Sequence, residues 1–132
     1  MIGLDTNVLV RHLAADDPVQ SPIARQLVDS LTPAQPGFIS LVTLVETHWV
    51  LRQAYRYKVD VINRAVAALV DAAEFVVDEA DLVRSCLIKA AETGRELPDI
   101  LIAERGARLG CRTTYTFDRQ ASTLPGMELL TS

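Results

Sequence analysis

Short apolar runs punctuate this chain, and between them apolar residues recur at helical spacing. Met1–Leu4 runs into Asp5-Thr6-Asn7, which predicts a buried strand turning into a helix over Val8–Leu13. Asp16-Asp17-Pro18 predicts an N-cap with proline at the first helical position, and a helix to about Leu31. After the turn at 32–37, Phe38-Ile39 predicts a brief strand, and Ser40 caps a long helix reaching about Tyr55. A helix from Asp60 carries Ile62, Val66, Leu69 and Val70 on one face, and Glu74–Val77 reads as a strand. Asp78 is expected to cap a helix whose buried stripe is Leu82, Val83, Cys86, Leu87 and Ala90 and which Gly94 ends. Pro98 opens another helix that stops at Gly110. Thr113–Phe117 is the last firm strand, with Met127–Leu130 as a weak edge strand. Strands alternating with helices predict an α/β fold: one domain over 1–132, a three-layer α/β/α sandwich around a short, mainly parallel sheet.

Composition changes this picture in three ways. Of 132 residues, 49% are hydrophobic and the mean hydropathy is +0.19, high enough that a second chain is expected to cover some apolar surface. No apolar run is long enough for a membrane span, and Met1-Ile2-Gly3-Leu4-Asp5 has neither a basic leader nor a cleavage pattern, so the cytoplasm is the expected compartment. Cys86 lies in an apolar helical register and Cys111 opens a strand, without CxxC spacing; both read as reduced, small hydrophobic residues.

The net charge of −4 fits a nucleic-acid binder poorly, because such proteins present basic surfaces. Four carboxylates soften the objection. Asp5 follows the first strand and Asp118 follows the strand ending at Phe117, so both belong at the carboxyl edge of the sheet, where α/β folds hold ligands. Asp99 stands in the first turn of its helix, where the dipole tolerates an anion. Glu46 lies mid-helix among Val42, Leu44, Val45, Trp49 and Val50, where a charge is costly unless paired or metal-bound. Setting these four aside leaves −4 + 4 = 0. Each acid alone also has an ordinary reading: Asp5 as a cap, Asp99 as a first-turn acid, Asp118 in a turn beside Arg119, Glu46 half-exposed. Asp16, Asp17, Asp60, Asp78 and Asp81 sit at helix starts and read as capping residues.

An oxygen-only donor set, without a His or Cys cluster, suits Mg²⁺ or Mn²⁺ rather than zinc. A bound ion of this kind activates water and steadies a leaving oxygen in phosphodiester hydrolysis, leaving a 5′-phosphate and a 3′-hydroxyl. General acid–base chemistry would need placed histidines, but His12 and His48 stand in no catalytic setting, and His48 reads as structural or surface. Lysines are only Lys58 and Lys89 among 13 basic residues, and arginine is the better phosphate ligand. Arg11 and Arg119, each near a site acid in sequence, are the expected phosphate contacts.

The motifs carry a resemblance. Gly3-Leu4-Asp5-Thr6-Asn7-Val8-Leu9-Val10-Arg11 with Asp16-Asp17-Pro18, then Ile39–Glu46, Leu97–Ala103 and Thr116-Phe117-Asp118, are similar to the ordered motifs of PIN-domain ribonucleases, the VapC-type toxins of type II toxin–antitoxin pairs above all. The likeness spans nearly the whole chain. It implies a PIN-like fold and places the metal-site acids on Asp5, Glu46, Asp99 and Asp118, with Thr116, Thr6 and Asn7 as supporting polar groups. It also implies an RNA substrate, a small antitoxin partner and a homodimer. Pro98 departs from the small residue usual before the third acid, but proline is acceptable in a first helical turn. The remaining alternative is a PIN-like binding or scaffold module that does not cut. A phosphoaspartyl hydrolase would want Asp-x-Asp where this chain has Asp5-Thr6-Asn7, and a receiver domain would want a lysine beyond Lys89.

Overall fold

The computed structural model describes residues 1–131, so Ser132, the last position of the expected domain, lies outside the described residues. In chain order the elements are β1 (Ile2–Gly3), α1 (Thr6–Ala14), α2 (Gln20–Asp29), β2 (Gly37–Ile39), α3 (Leu41–Gln53), α4 (Val59–Asp71), β3 (Phe75–Val77), α5 (Ala80–Thr93), α6 (Leu97–Arg108), β4 (Thr114–Thr116) and β5 (Met127–Leu129). The fold is α/β, and every strand pair is parallel. The strands form two separate sets, β1-β2-β3 and β4-β5. The chain divides correspondingly into two compact units, Met1–Ala80 and Asp81–Ser132.

In the first unit β2 lies between its neighbours, with Gly3 opposite Phe38 and Phe38 opposite Val76. Parallel neighbours need a crossover, and α1–α2 and then α3–α4 supply the two. Leu9, Ile39, Leu44 and Ile62 are essentially inaccessible to solvent and anchor this core. Gly37 admits close approach on β2: an added Cβ would meet the Leu31 side chain at 2.8 Å.

In the second unit α5 buries Leu82, Val83, Cys86 and Ala90, and α6 buries Leu97, Ile100, Leu101 and Ala103. A Lys89–Glu104 ion pair links the two helices. Gly94 (φ +70°) and Gly110 (φ +95°) follow α5 and α6 in the left-handed conformation that ends helices. Burial pushes the Cys86 thiol up to about 11, so it stays protonated at neutral pH. Among the described residues, no helix is long and apolar enough to cross a membrane.

Several sequence expectations need correction. Helix α2 begins at Gln20, two residues beyond Pro18, although Asp17 does act as its cap: Oδ1 accepts from the Val19 and Gln20 N–H groups at 3.0 and 2.6 Å. Those bonds favour the ionised carboxylate and hold its pKa below the ordinary value. Asp78 instead accepts from the Leu41 N–H at the start of α3 (3.3 Å). Asp16 accepts from the Tyr55 hydroxyl at 3.3 Å. Cys111 precedes β4 and is exposed, so it is no packed hydrophobe.

Candidate functional site

The first unit supplies two of the expected acids. Asp5 leaves the carboxyl end of β1 and caps α1: its Oδ1 accepts from the Val8 N–H at 3.0 Å, and its carbonyl accepts from the Leu9 N–H at 3.1 Å. That bond fixes the carboxylate at the surface and leaves Oδ2 without a partner among the described residues. Thr6, the first residue of α1, donates its hydroxyl to Glu46 Oε1 on α3 at 3.1 Å. Thr6 thereby ties Glu46 to the residue next to Asp5.

Glu46 is exposed, contrary to the expectation of a costly buried charge. Helix α3 mixes polar and apolar residues around its circumference, so periodicity does not tell which face turns inward. Thr43, Leu44, Thr47, His48 and Leu51 face the core, while Val42 and Trp49 share the outer surface with Glu46 at 69% and 61% exposure. His48 is therefore a core residue, and burial lowers the pKa of His12.

Asp5, Asn7 and Arg11 also line a groove of about 340 Å³ along α1 and α2, whose wall includes Gln20 and Ile23. Arg11, an expected phosphate contact, is engaged by two side chains within the fold. Its Nε donates to Gln20 Oε1 at 2.8 Å, and its Nη1 donates to the Tyr55 hydroxyl at 3.1 Å. Both hydrogen-bond partners are neutral, and the nearby Asp17 carboxylate feels the Arg11 charge. Sequence reasoning missed Tyr55 because it lies 44 residues from Arg11 and in no motif.

The second unit brings Asp99 and Asp118 together electrostatically. Asp118 follows β4, and its Oδ1 accepts from the Gln120 and Ala121 N–H groups at 2.8 and 3.1 Å, capping a single 3-10 turn at Ala121–Thr123. The Asp118 N–H donates to Thr116 Oγ1 at 3.0 Å, which gives Thr116 a positioning role for that turn. Arg119 is exposed, and its guanidinium makes no hydrogen bond or ion pair with a described residue.

Asp99 differs from the other three. It is half-buried in the first turn of α6, and Pro98 is accommodated there without interrupting the helix. Among the described residues no N–H or O–H donates to its carboxylate. Burial first, then the negative charges of Asp118 and Glu96, push its pKa above the ordinary carboxylate value. The favourable helix dipole does not cancel these effects. Glu96, at the N-cap of α6, is a contributor that the sequence reading overlooked; its place three residues before Asp99 was the available signal.

Among the described residues no group of three or more His, Cys, Asp or Glu side chains is arranged to hold a metal ion. The chemistry of the donors nevertheless fits a hard divalent cation. All four acids offer oxygen, Asp5 keeps one carboxylate oxygen unused, and Asp99 carries an uncompensated charge that a cation would relieve.

The PIN domain family matches residues 2–126, across both compact units. No curated protein matches the chain significantly. Coverage of nearly the entire sequence, on an α/β fold with parallel strands, establishes that the chain belongs to the PIN domain family, whose fold is nuclease-like.

Proposed function

We propose that this PIN-domain protein is a Mg²⁺- or Mn²⁺-dependent endoribonuclease, the VapC-type toxin of a type II toxin–antitoxin pair. The observation that carries the reading is Asp99. A half-buried carboxylate without a donor, next to a second carboxylate, is unfavourable for folding and useful for holding a cation. Acids perturbed by burial and a neighbouring carboxylate concentrate at functional sites, which favours a cutting enzyme over a scaffold. A single family match over both units supports reading residues 1–132 as one nuclease domain.

In this reading Asp5, Glu46, Asp99 and Asp118 hold the metal. When bound, the ion supplies an acidified water for attack and charge stabilisation at the leaving oxygen. The chain's own residues preorganise those donors. The Val8 N–H fixes the rotamer of Asp5, the Thr6 hydroxyl fixes Glu46, and two N–H groups of the 3-10 turn fix Asp118. Arg11, oriented by Gln20 and Tyr55, and Arg119, unengaged, are placed to contact RNA phosphates. Asn7, exposed beside Asp5, is a further polar contact.

The same reading includes a small antitoxin and a homodimer. Val42 and Trp49, exposed on α3, provide apolar surface for a second chain. Expression in a bacterial host tests the toxin role. Wild type is expected to arrest growth, and Asp5→Asn, which preserves the side-chain shape, is expected to abolish the arrest at equal protein level. Arrest that survives Asp5→Asn and Asp99→Asn alike would assign the toxicity to some other property of the chain.

A further inference from the structure

Arg52-Gln53-Ala54-Tyr55-Arg56-Tyr57-Lys58 closes α3 and leads into α4, with cations and tyrosines interleaved and no acid, in a chain of net charge −4. Two of its cations occupy positions that local physics would give to other residues. The Tyr57 N–H donates back to the Leu51 carbonyl at 3.0 Å, and Arg56 between them has φ +58°. Glycine is the residue preferred at such a helix-ending left-handed position, because any Cβ is strained there. Lys58 is the N-cap of α4 and makes no side-chain capping bond. Serine, threonine, aspartate or asparagine would cap there, and a cation opposes the positive end of the helix dipole.

A solvated turn gains nothing from two such mismatches two residues apart. The carboxyl end of α3 attracts positive charge, but Arg52 already meets that demand without left-handed backbone. Local rules are broken in folded proteins chiefly where a side chain serves another purpose. Arg56 is exposed and makes no hydrogen bond or ion pair with a described residue. With Arg52 and Gln53 it lines an open dip of about 390 Å³. The Tyr55 and Tyr57 rings lie 5.7 Å apart at 49°, and the Tyr55 hydroxyl is anchored by Arg11 and Asp16. Asp60, the acid two residues beyond Lys58, faces Arg64 at 3.7 Å.

We propose that the α3–α4 turn is a docking patch for single-stranded RNA, in which Arg56 and Lys58 hold backbone phosphates and Tyr57 supports an unstacked base. Arginine and lysine beside an aromatic ring form the combination that binds single strands with little sequence preference. Glu46 lies on the same helix, ~9 Å along its axis from Arg52 at 1.5 Å per residue. That acid is within reach of a strand seated on the turn. The proposal rests on the ribonuclease reading and extends it from the site to how substrate is held.

The test uses fluorescence anisotropy with a labelled single-stranded oligoribonucleotide in EDTA over a range of salt, with thermal melts and Mg²⁺ cleavage assays of the same full-length proteins. Arg56→Gly is expected to melt higher than wild type. It is also expected to bind RNA about five- to tenfold more weakly, with a salt slope reduced by about 0.7, the value for one lost phosphate contact on a single strand. Lys58→Ser is expected to move stability and binding in the same opposite directions, and Arg56→Lys to keep most of the affinity. Wild-type affinity and slope in both Arg56→Gly and Lys58→Ser, with Mg²⁺-dependent cleavage intact, would overturn the patch alone and leave the turn to another partner, such as an acidic protein. Wild type that neither binds nor cuts RNA would overturn the ribonuclease reading, and the patch with it.

Discussion

Asp99→Asn is expected to lower Mg²⁺-dependent RNA cleavage on the order of 10²–10³-fold while raising the melting temperature of the metal-free protein. Asparagine keeps the shape of the side chain and removes the charge that burial, Asp118 and Glu96 oppose. The sign of the stability change depends on pH. Because the folded-state pKa is raised, ionised Asp99 destabilises the fold at neutral pH, and this penalty disappears once the pH falls below the ordinary carboxylate range. The melting advantage of the variant should therefore be present at neutral pH and absent in acid. Added Mg²⁺ should raise the melting temperature of wild type more than that of the variant, since only wild type offers the full donor set. Protonation of Asp99 competes with metal binding, so the stabilisation by Mg²⁺ should weaken toward acid. Thermal melts at two pH values, with and without Mg²⁺, check all of this; a variant that melts below wild type at neutral pH would contradict it.

Leu9→Ala is expected to cost roughly 2–5 kcal/mol, the usual loss for a large-to-small change in a packed core. Leu9 is fully buried, one turn after Asp5 and Thr6, and with Val10 forms the inward face of α1. A domain of this size has about 5–15 kcal/mol in total, so the melting temperature should fall by about 10–20 °C. Chemical denaturation measures the loss directly. Cleavage well below the lowered melting point should persist, because no donor is removed. A loss under about 1 kcal/mol would contradict the burial of α1 as described.

Features encoded locally were legible in the sequence, and features made by distant packing were not. The apolar run before Asp5 and the polar turn after it are contiguous, so both the strand and its terminal acid were readable. Helix α4 has one apolar face, and Ile62, Val66, Leu69 and Val70 are all buried as their spacing implies. Glu46 was placed in the right helix but in the wrong surroundings, because α3 mixes polar and apolar residues all round and only packing selects its inner face. The bond from Leu41 to Asp78 and the pairing of Arg11 with Tyr55 join residues 37 and 44 apart, and no periodicity encodes either. Asp99 was legible from its first-turn position and its motif, whereas its lack of a donor and its closeness to Asp118 emerge only from the fold.

In the proposed function Asp5, Glu46, Asp99 and Asp118 would hold a divalent ion for RNA hydrolysis. The most direct measurement is the chemistry of the ends left on a defined RNA, incubated with Mg²⁺ and, separately, with EDTA. Hydrolysis by a metal-acidified water would not require the ribose 2′-hydroxyl. The expected result is 5′-phosphate and 3′-hydroxyl ends formed in Mg²⁺ and no cleavage in EDTA. Ends bearing a 2′,3′-cyclic phosphate, or cutting that continues undiminished in EDTA, would contradict it.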